Sequence, residues 1–137
     1  MKHNTIEDCR LIAIPKVHDE RGSLAVIEKT IVPFSIKRVY YLYDVPSDSY
    51  RGGHAHKNQE SVIIALSGSF TVLVDDGCEK KEIILNKPNQ ALFLPTGIWR
   101  EIENFSSGSV CLVLASTEFE EADYIRDYEG FKLFKSR

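Results

Sequence analysis

Short apolar runs alternate with turn-forming residues along most of the chain. Gly, Pro, Asn, Asp and Ser cluster between the runs, and these residue types favour turns. About ten short strands, with turns every ~8–12 residues, are typical of an all-β sandwich or a closed barrel. The predicted strands cover residues 11–14, 24–28, 36–43, 61–66, 70–74, 81–85, 91–94, 99–104 and 110–115, with a further strand through His54 and His56.

The strand over residues 36–43 has an unusual alternation of side chains. Both of its faces mix polar and aromatic groups, whereas a strand with one solvent face usually keeps that face plainly polar. This mixture suits a strand that lines a pocket. One face carries Ile36, Arg38, Tyr40 and Leu42, and the other carries Lys37, Val39, Tyr41 and Tyr43.

The pattern changes after residue 115, where we predict a short C-terminal helix over residues 117–129. Ser116 or Thr117 can serve as its N-cap, and acidic residues follow in the first turn, as the helix dipole favours. Gly130 is a suitable stop.

Composition and charge limit the class of protein. A chain of 137 residues with 43% hydrophobic residues fits a single domain over residues 1–137. The net charge of -3 argues against a general nucleic-acid binder, although a local basic pocket for a small anion is compatible with it. No apolar run approaches the ~20 residues of a membrane-spanning helix. We therefore expect neither nucleic acid nor a membrane as a partner.

The cysteines indicate the compartment. Cys9, Cys78 and Cys111 are scattered and show no Cys-x-x-Cys spacing. Such a set fits a reduced protein better than a disulfide scaffold or a zinc site. The sequence therefore predicts a cytoplasmic protein.

The densest chemistry lies at residues 51–57, Arg-Gly-Gly-His-Ala-His-Lys. His54 and His56 stand two apart, which puts both imidazoles on one face of a strand, and the two glycines let the backbone bend just before them. The pair suits metal binding or proton transfer, because imidazole titrates near neutral pH. Two polar residues near a strand end, without a chemical role, are the plainer alternative.

Two spacings resemble the motifs of cupin barrels. His54-x-His56-x3-Glu60, followed by Gly68, is similar to the first motif, in which the two histidines and the Glu hold a metal. Pro95-x-Gly97-x2-Arg100-x3-Asn104 is similar to the second motif, with Arg100 where the last metal-binding His belongs. Arginine stays protonated and has no lone pair to donate to a metal. We therefore predict a cupin (jelly-roll, double-stranded β-helix) barrel without a metal.

Several cations and one aromatic residue are candidates for substrate binding. Arginine suits phosphate because its guanidinium forms paired hydrogen bonds. Each of these cations could instead be a separate surface residue. Trp99 could stack on the base or sugar of a substrate, and packing in the core is an equal alternative for it. The candidates are Arg21, Arg38, Arg51, Lys57, Arg100 and Trp99.

Motifs along nearly the whole chain, in order and with compatible spacing, resemble the TDP-sugar 3,4-ketoisomerases, where TDP is thymidine diphosphate. The motifs are residues 19–24 (Asp-Glu-Arg-Gly-Ser-Leu), 33–41 (Pro-Phe-Ser-Ile-Lys-Arg-Val-Tyr-Tyr), 51–57, 99–101 (Trp-Arg-Glu), 114–116 (Leu-Ala-Ser) and 123–128 (Asp-Tyr-Ile-Arg-Asp-Tyr).

The resemblance implies a metal-free and cofactor-free cupin homodimer that exchanges N-terminal strands. It implies isomerisation of TDP-4-keto-6-deoxyglucose to a TDP-3-keto-6-deoxyhexose for a surface-polysaccharide or related deoxysugar. His54 matches the family's base, and His56 and Tyr40 match its other active-site groups. The base would remove the C3 proton, and a proton would return to C4 through an enediol. Members of the family differ in the residues that they have at the positions of Arg21 and Arg100. An arginine at position 21 favours the galacto configuration at C4 of the product over the gluco configuration.

Three other functions remain open at this point. A sugar-nucleotide 3,5-epimerase would keep the ketone at C4. A metal-dependent cupin enzyme would lose activity with a chelator. A sugar- or nucleotide-sensing cupin would bind its ligand without turnover.

Overall fold

The computed structural model describes residues 3–49 and 51–137, with only the backbone of residues 51 and 52. The prediction that Arg51 contacts the substrate therefore concerns a side chain outside the described part of the structure. The strands are β1 Arg10–Ala13, β2 Lys16–Asp19, β3 Gly22–Ala25, β4 Arg38–Leu42, β5 Arg51–His56, β6 Ser61–Ser67, β7 Phe70–Asp75, β8 Lys80–Leu85, β9 Gln90–Leu94, β10 Trp99–Glu103, β11 Val110–Ala115 and β12 Tyr124–Ile125; the helix is α1 Tyr128–Lys135. Short 3₁₀ turns cover Ile6–Asp8 and Glu121–Asp123.

Two antiparallel five-stranded sheets face each other. The first has the order β1-β9-β6-β11-β4 and the second has the order β12-β5-β10-β7-β8. The main core lies between them, with Ile63, Leu92 and Val113 from the first sheet against Val72 and Ile102 from the second. The predicted all-β cupin barrel with a short C-terminal helix is thereby confirmed.

Strand β6 is buried on both faces, which explains its continuous apolar sequence. Ile63 faces the main core, while Val62 and Ile64 pack beneath Val32 and Ile14 on the outside of the first sheet. A strand covered on both sides reads as an uninterrupted hydrophobic run instead of an alternating one. The segment that covers it precedes β4.

The hairpin of β2 and β3 is hydrogen-bonded only within itself among the described strands. Its residues are all exposed, including Val17 at 64% and Leu24 at 58%. Exposed apolar residues on a projecting hairpin are candidates for contact with another chain.

The predicted helix over residues 117–129 is wrong. That region holds the Glu121–Asp123 turn and β12, whose Tyr124 and Ile125 pair with His56 and Ala55 of β5. The helix begins later, at Tyr128, because the Asp127 carboxylate accepts a hydrogen bond from the backbone N–H of Gly130 at 3.0 Å. Gly130 lies inside α1 and does not end it.

Helix α1 packs on the second sheet. Phe131 is fully buried against Trp99, Ala55 and Ile125. The Lys135 ammonium donates to the carbonyl oxygens of Asn4 and Gly97, which ties the helix to the N-terminal segment and to the turn before β10. Among the described residues, no helix is long and apolar enough to cross a membrane.

Candidate active site

A cavity of about 510 Å³ opens between the two sheets. Strands β4, β6 and β11 form one wall, and β5, β10 and the β12 segment form the other. The lining mixes apolar side chains with one imidazole, two phenols and three guanidinium groups. The lining residues are Arg38, Tyr40, Leu42, Gly53, His54, Ile63, Arg100, Ile102, Val113, Tyr124 and Arg126.

A bulge in β5 delivers His54 to the cavity. Strands β5 and β10 pair Arg51 with Ile102 and His54 with Arg100, so the register shifts and β5 holds one extra residue around its two glycines. Bulges commonly re-aim a side chain beside an active site. The half-buried His54 ring lies 5.0 Å from the Tyr124 ring, centroid to centroid.

His56 lies beside His54 but does not line the cavity. The two ring centroids are 4.8 Å apart and the rings are nearly perpendicular, as the two-residue spacing predicts. The His56 side chain is fully buried. Its Nδ1 lies 3.0 Å from Oδ2 of Asp123, and its Nε2 lies 3.3 Å from the side-chain nitrogen of Gln59.

Burial and neighbouring cations keep His56 neutral. Burial is the largest cause that lowers its pKa, followed by the charges of Arg100, Arg38 and Arg126, and together they bring the pKa to about 2. The contact with Asp123 is therefore a hydrogen bond from a neutral imidazole N–H to a carboxylate. The unprotonated Nε2 accepts from the Gln59 amide.

Tyr40 lies on the opposite wall of the cavity and is half buried. It pairs across the sheet with Val113, and the Arg38 guanidinium stacks over its ring at 4.7 Å. Burial raises the pKa of Tyr40 most strongly, while the charges of Arg100 and Arg38 act in the opposite direction. The phenol is therefore protonated at neutral pH and can donate a hydrogen bond or a proton.

Arg38 and Arg100 bring positive charge to the cavity. Arg100 is 3% exposed and donates its Nε–H to the carbonyl oxygen of Ile98 at 3.1 Å. The Arg38 Nε and one terminal nitrogen of Arg100 are buried and find no hydrogen-bond partner among the side chains and backbone that the structure describes. Buried donors of this kind call for an explanation, and an anionic oxygen of a substrate provides one.

Tyr124 and Arg126 are cavity residues that the sequence did not single out. The Tyr124 hydroxyl accepts a hydrogen bond from Arg38 at 3.2 Å, and its ring lies 4.4 Å from that of His56. The Arg126 guanidinium lies over the Tyr124 ring at 4.1 Å from its centroid. The motif at residues 123–128 contains both, but the erroneous helix hid that Tyr124 lies on β12 beside β5 and that Arg126 directly follows this strand.

Three predicted substrate residues do not reach this cavity in the single chain. The Arg21 side chain is 86% exposed on the β2–β3 hairpin, where it pairs with Asp19 at 2.8 Å. Lys57 is exposed beyond the end of β5. Trp99 is 5% exposed and packs against Tyr128 and Phe131. This arrangement agrees with core packing, the alternative to stacking on a substrate.

The histidine pair lacks the surroundings of a metal site in the described part of the chain. There, no three His, Cys, Asp or Glu side chains are grouped so that they could hold an ion. Arg100 stands opposite His54 on β10, so a fixed cation occupies the side from which a further ligand would come.

The chain is similar to known proteins over most of its length. Residues 7–136 match the family described as WxcM-like, C-terminal. A TDP-4-oxo-6-deoxy-alpha-D-glucose-3,4-oxoisomerase from Aneurinibacillus thermoaerophilus is 45% identical over 126 residues, which cover 91% of each chain. A 3,4-ketoisomerase structure from Helicobacter canadensis has a TM-score of 0.92 and 44% identity, covering 95% of this chain and 98% of that chain. A 3,4-ketoisomerase variant from Thermoanaerobacterium thermosaccharolyticum, solved with TDP-4-keto-6-deoxyglucose, has a TM-score of 0.92 and 39% identity, covering 94% of each chain.

The barrel, its cavity and these similarities define a sugar-nucleotide isomerase of the cupin class. The chain belongs to the WxcM-like, C-terminal family and, within it, is a 3,4-ketoisomerase. The resemblance stated from the sequence is confirmed. A dTDP-4-dehydrorhamnose 3,5-epimerase from Bacillus anthracis, at 16% identity and a TM-score of 0.77, shares the fold alone.

Proposed function

We propose that this isomerase converts TDP-4-keto-6-deoxyglucose into a TDP-3-keto-6-deoxyhexose without a metal or cofactor. One observation carries the proposal: His54, the neutral phenol of Tyr40 and the guanidinium groups of Arg38 and Arg100 line the same cavity. An acid, a base and an anion-stabilising charge are the groups that a carbonyl transposition needs. The names of the close relatives supply the substrate.

In the proposed reaction His54 removes the proton from C3, which the ketone at C4 acidifies. The electron pair moves to the C4 oxygen, and Tyr40 protonates that oxygen to give an enediol. Tyr40 then takes the proton from the C3 oxygen, the ketone forms at C3, and protonated His54 delivers its proton to C4. Arg38 and Arg100 stabilise the negative oxygen in both half-reactions. All atoms are conserved, so no oxidant or reductant is needed.

Product analysis in deuterium oxide tests this reaction. The purified protein is incubated with TDP-4-keto-6-deoxyglucose, and the product is read by NMR. We expect a ketone at C3. The hydrogen at C4 is deuterium wherever protonated His54 exchanges its proton with the solvent at the enediol stage, and it is the original C3 proton wherever delivery is faster than exchange. Deuterium at C5 with the ketone still at C4 would instead establish an epimerase. Activity after dialysis against a chelator tests the metal-free mechanism, which predicts no loss.

The proposal includes a homodimer that exchanges N-terminal strands. The exposed β2–β3 hairpin, with Val17 and Leu24, supports this arrangement, and so does the exposed outer face of β4 with Val39 and Tyr41. In such a dimer Arg21 would enter the partner's cavity and take part in substrate binding there.

Complementation tests the exchange. Arg21→Ala and His54→Asn variants are each expected to be weakly active or inactive. If Arg21 acts across the dimer, mixing the two by unfolding and refolding yields heterodimers with one intact cavity, and activity returns. Activity that stays at the sum of the two variants, with heterodimers present by mass spectrometry, would refute the exchange.

Two finer points belong to the same proposal. Arg21 favours the galacto product, and a small H4–H5 coupling constant in its NMR spectrum would establish that configuration. The enzyme would act in the cytoplasm, which the free thiols of Cys9, Cys78 and Cys111 support. Its keto product would be a substrate for amination in deoxysugar synthesis for surface polysaccharides.

A further inference from the structure

We propose that Asp123 and Gln59 are positioning residues that lock His56 as the neutral Nδ1–H tautomer, and that His56 in turn orients the base His54. The inference rests on the proposed role of His54 in catalysis. It changes the role expected for His56, from a proton carrier in contact with substrate to a buried support for its neighbour.

The Asp123 carboxylate fixes one side of the His56 ring. Asp123 is 5% exposed, and its Oδ1 accepts from the backbone N–H of Asn58 at 2.6 Å. Its Oδ2 accepts from the backbone N–H of Gln59 at 3.2 Å and lies 3.0 Å from Nδ1 of His56. An ionised carboxylate only accepts hydrogen bonds. The proton on His56 therefore has to be on Nδ1.

Gln59 fixes the other side of the ring. Its side chain is 1% exposed, and its Oε1 accepts a hydrogen bond from the hydroxyl of Thr117 at 3.1 Å. The amide nitrogen donates to Ser61 at 3.0 Å and faces Nε2 of His56 at 3.3 Å. These contacts aim an N–H of the amide at Nε2, so that atom is held as an acceptor.

A neutral His56 matters because the surroundings of the ring are already positive. The groups that face it are His54 on its own strand, Arg100 on β10, Arg38 on β4, and Tyr124 and Arg126 in the β12 segment, besides Asp123. A proton on His56 would add a charge next to His54 and oppose protonation of the base. A neutral His56 therefore does not oppose transfer of the substrate proton to His54, and the perpendicular contact at 4.8 Å restricts the His54 ring.

Histidine NMR tests the lock without any substrate. In long-range proton–nitrogen spectra of the full-length chain labelled with ¹⁵N-histidine, His56 should show a neutral ring with its proton on Nδ1 from about pH 5 to about pH 9, whereas an ordinary histidine titrates within this range. A proton on Nε2, or titration of His56 near its ordinary pKa, would overturn the proposal.

Kinetics test whether the lock serves catalysis. Asp123→Asn replaces the acceptor of Nδ1 by an amide, and Gln59→Glu offers Nε2 a carboxylate and thereby favours a second proton on His56. We expect either change to lower kcat on the order of 10- to 100-fold, as for the outer hydrogen bonds that orient metal-bound histidines. KM should change by less than about threefold, because neither residue lines the cavity.

Asp127→Asn is the matched control, since it removes a carboxylate four residues further along and asparagine also caps helices well. It should retain the wild-type kcat and the His56 tautomer. Wild-type kcat in Asp123→Asn and Gln59→Glu, with an altered tautomer, would refute the catalytic role. An inactive wild type would refute the proposed function instead, and the NMR result on the lock would still stand. Near-ultraviolet circular dichroism identifies a variant that has lost its fold, in which case the other variant decides.

Discussion

Arg100 decides what the histidine pair can do. Its guanidinium is buried at 3% exposure, across the sheet from His54, and burial lowers its pKa without giving it a lone pair for a metal. A buried charge of this kind interacts strongly with a developing oxyanion. In the proposed reaction, Arg100 stands where the cupin motif has a metal ligand and would provide the positive charge that a metal ion brings in other cupins.

Replacing His54 tests the base. His54→Asn keeps a polar side chain of similar shape but cannot accept the C3 proton at neutral pH. We expect kcat to fall by about 10²- to 10⁴-fold, the usual contribution of a general base. The dissociation constant of TDP, measured by calorimetry, should stay within about threefold, because the nucleotide does not need the base.

His3→Asn is the matched control, since His3 contacts the carbonyl oxygen of Arg137 and lies outside the cavity. It should keep full activity. Turnover of His54→Asn near the wild-type rate would exclude His54 as the base.

At the scale of elements, the pairing of β12 with β5 determines much of the site. It brings Asp123 and Tyr124 against the histidine strand, and it moves the start of α1 to Tyr128. Helical spacing and acidic residues made the segment before α1 look like a helix. Its partner lies more than sixty residues earlier in the chain, as in the Tyr124–His56 pair, and a local pattern does not contain that contact.

The hydroxyl of Tyr128 anchors α1 to the second sheet. It donates to Oδ2 of the buried Asp75 at 2.7 Å. We expect Tyr128→Phe to lower the free energy of unfolding by about 1–3 kcal/mol at neutral pH, as for hydrogen bonds to charged groups. Urea unfolding measures this change. Tyr43→Phe, at an exposed position, is the control and should stay within about 0.5 kcal/mol of the wild type.

The same contact predicts a loss of stability in alkali. The hydrogen bond to Asp75, then burial, raises the pKa of Tyr128 from 10.0 to about 12. Because the folded pKa is the higher one, this stabilisation is complete below about pH 10 and disappears as the pH rises towards about 12. Wild-type stability should fall more steeply in this window than that of Tyr128→Phe. Equal slopes would contradict the assignment.

At the scale of the whole molecule, the low pKa of His56 predicts that the folded protein loses stability in acid. Its folded pKa of about 2 lies below the ordinary 6.5, so the unfolded chain takes up the proton first. The associated stability is complete above about pH 6.5 and falls as the pH drops. Between about pH 7 and about pH 5 we expect a loss of roughly 1–2 kcal/mol in urea unfolding. The loss should be smaller in His56→Gln, and an equal loss in both would refute this origin.

Much of the fold and part of the site follow from the sequence alone. The short runs between turns predict the barrel, and the mixed side chains on both faces of the strand at residues 36–43 correctly predict a strand that lines a cavity. The structure adds which face does so, the one with Arg38, Tyr40 and Leu42. The two-residue spacing predicts the neighbouring rings of His54 and His56 but not their unequal exposure. That difference arises because Asp123 and Gln59, brought in by tertiary contacts, enclose only His56.

The lone tryptophan gives this fold a built-in optical reporter. Trp99 is the single tryptophan of the chain, and its ring is shielded by the two aromatic side chains of α1 that contact it. Its fluorescence therefore reports whether the C-terminal helix is docked. Phe131→Ala should shift the emission to longer wavelengths before the barrel itself unfolds, whereas TDP should leave the emission nearly unchanged. The protein thus carries separate signals for helix detachment, read optically, and for catalysis, read by turnover.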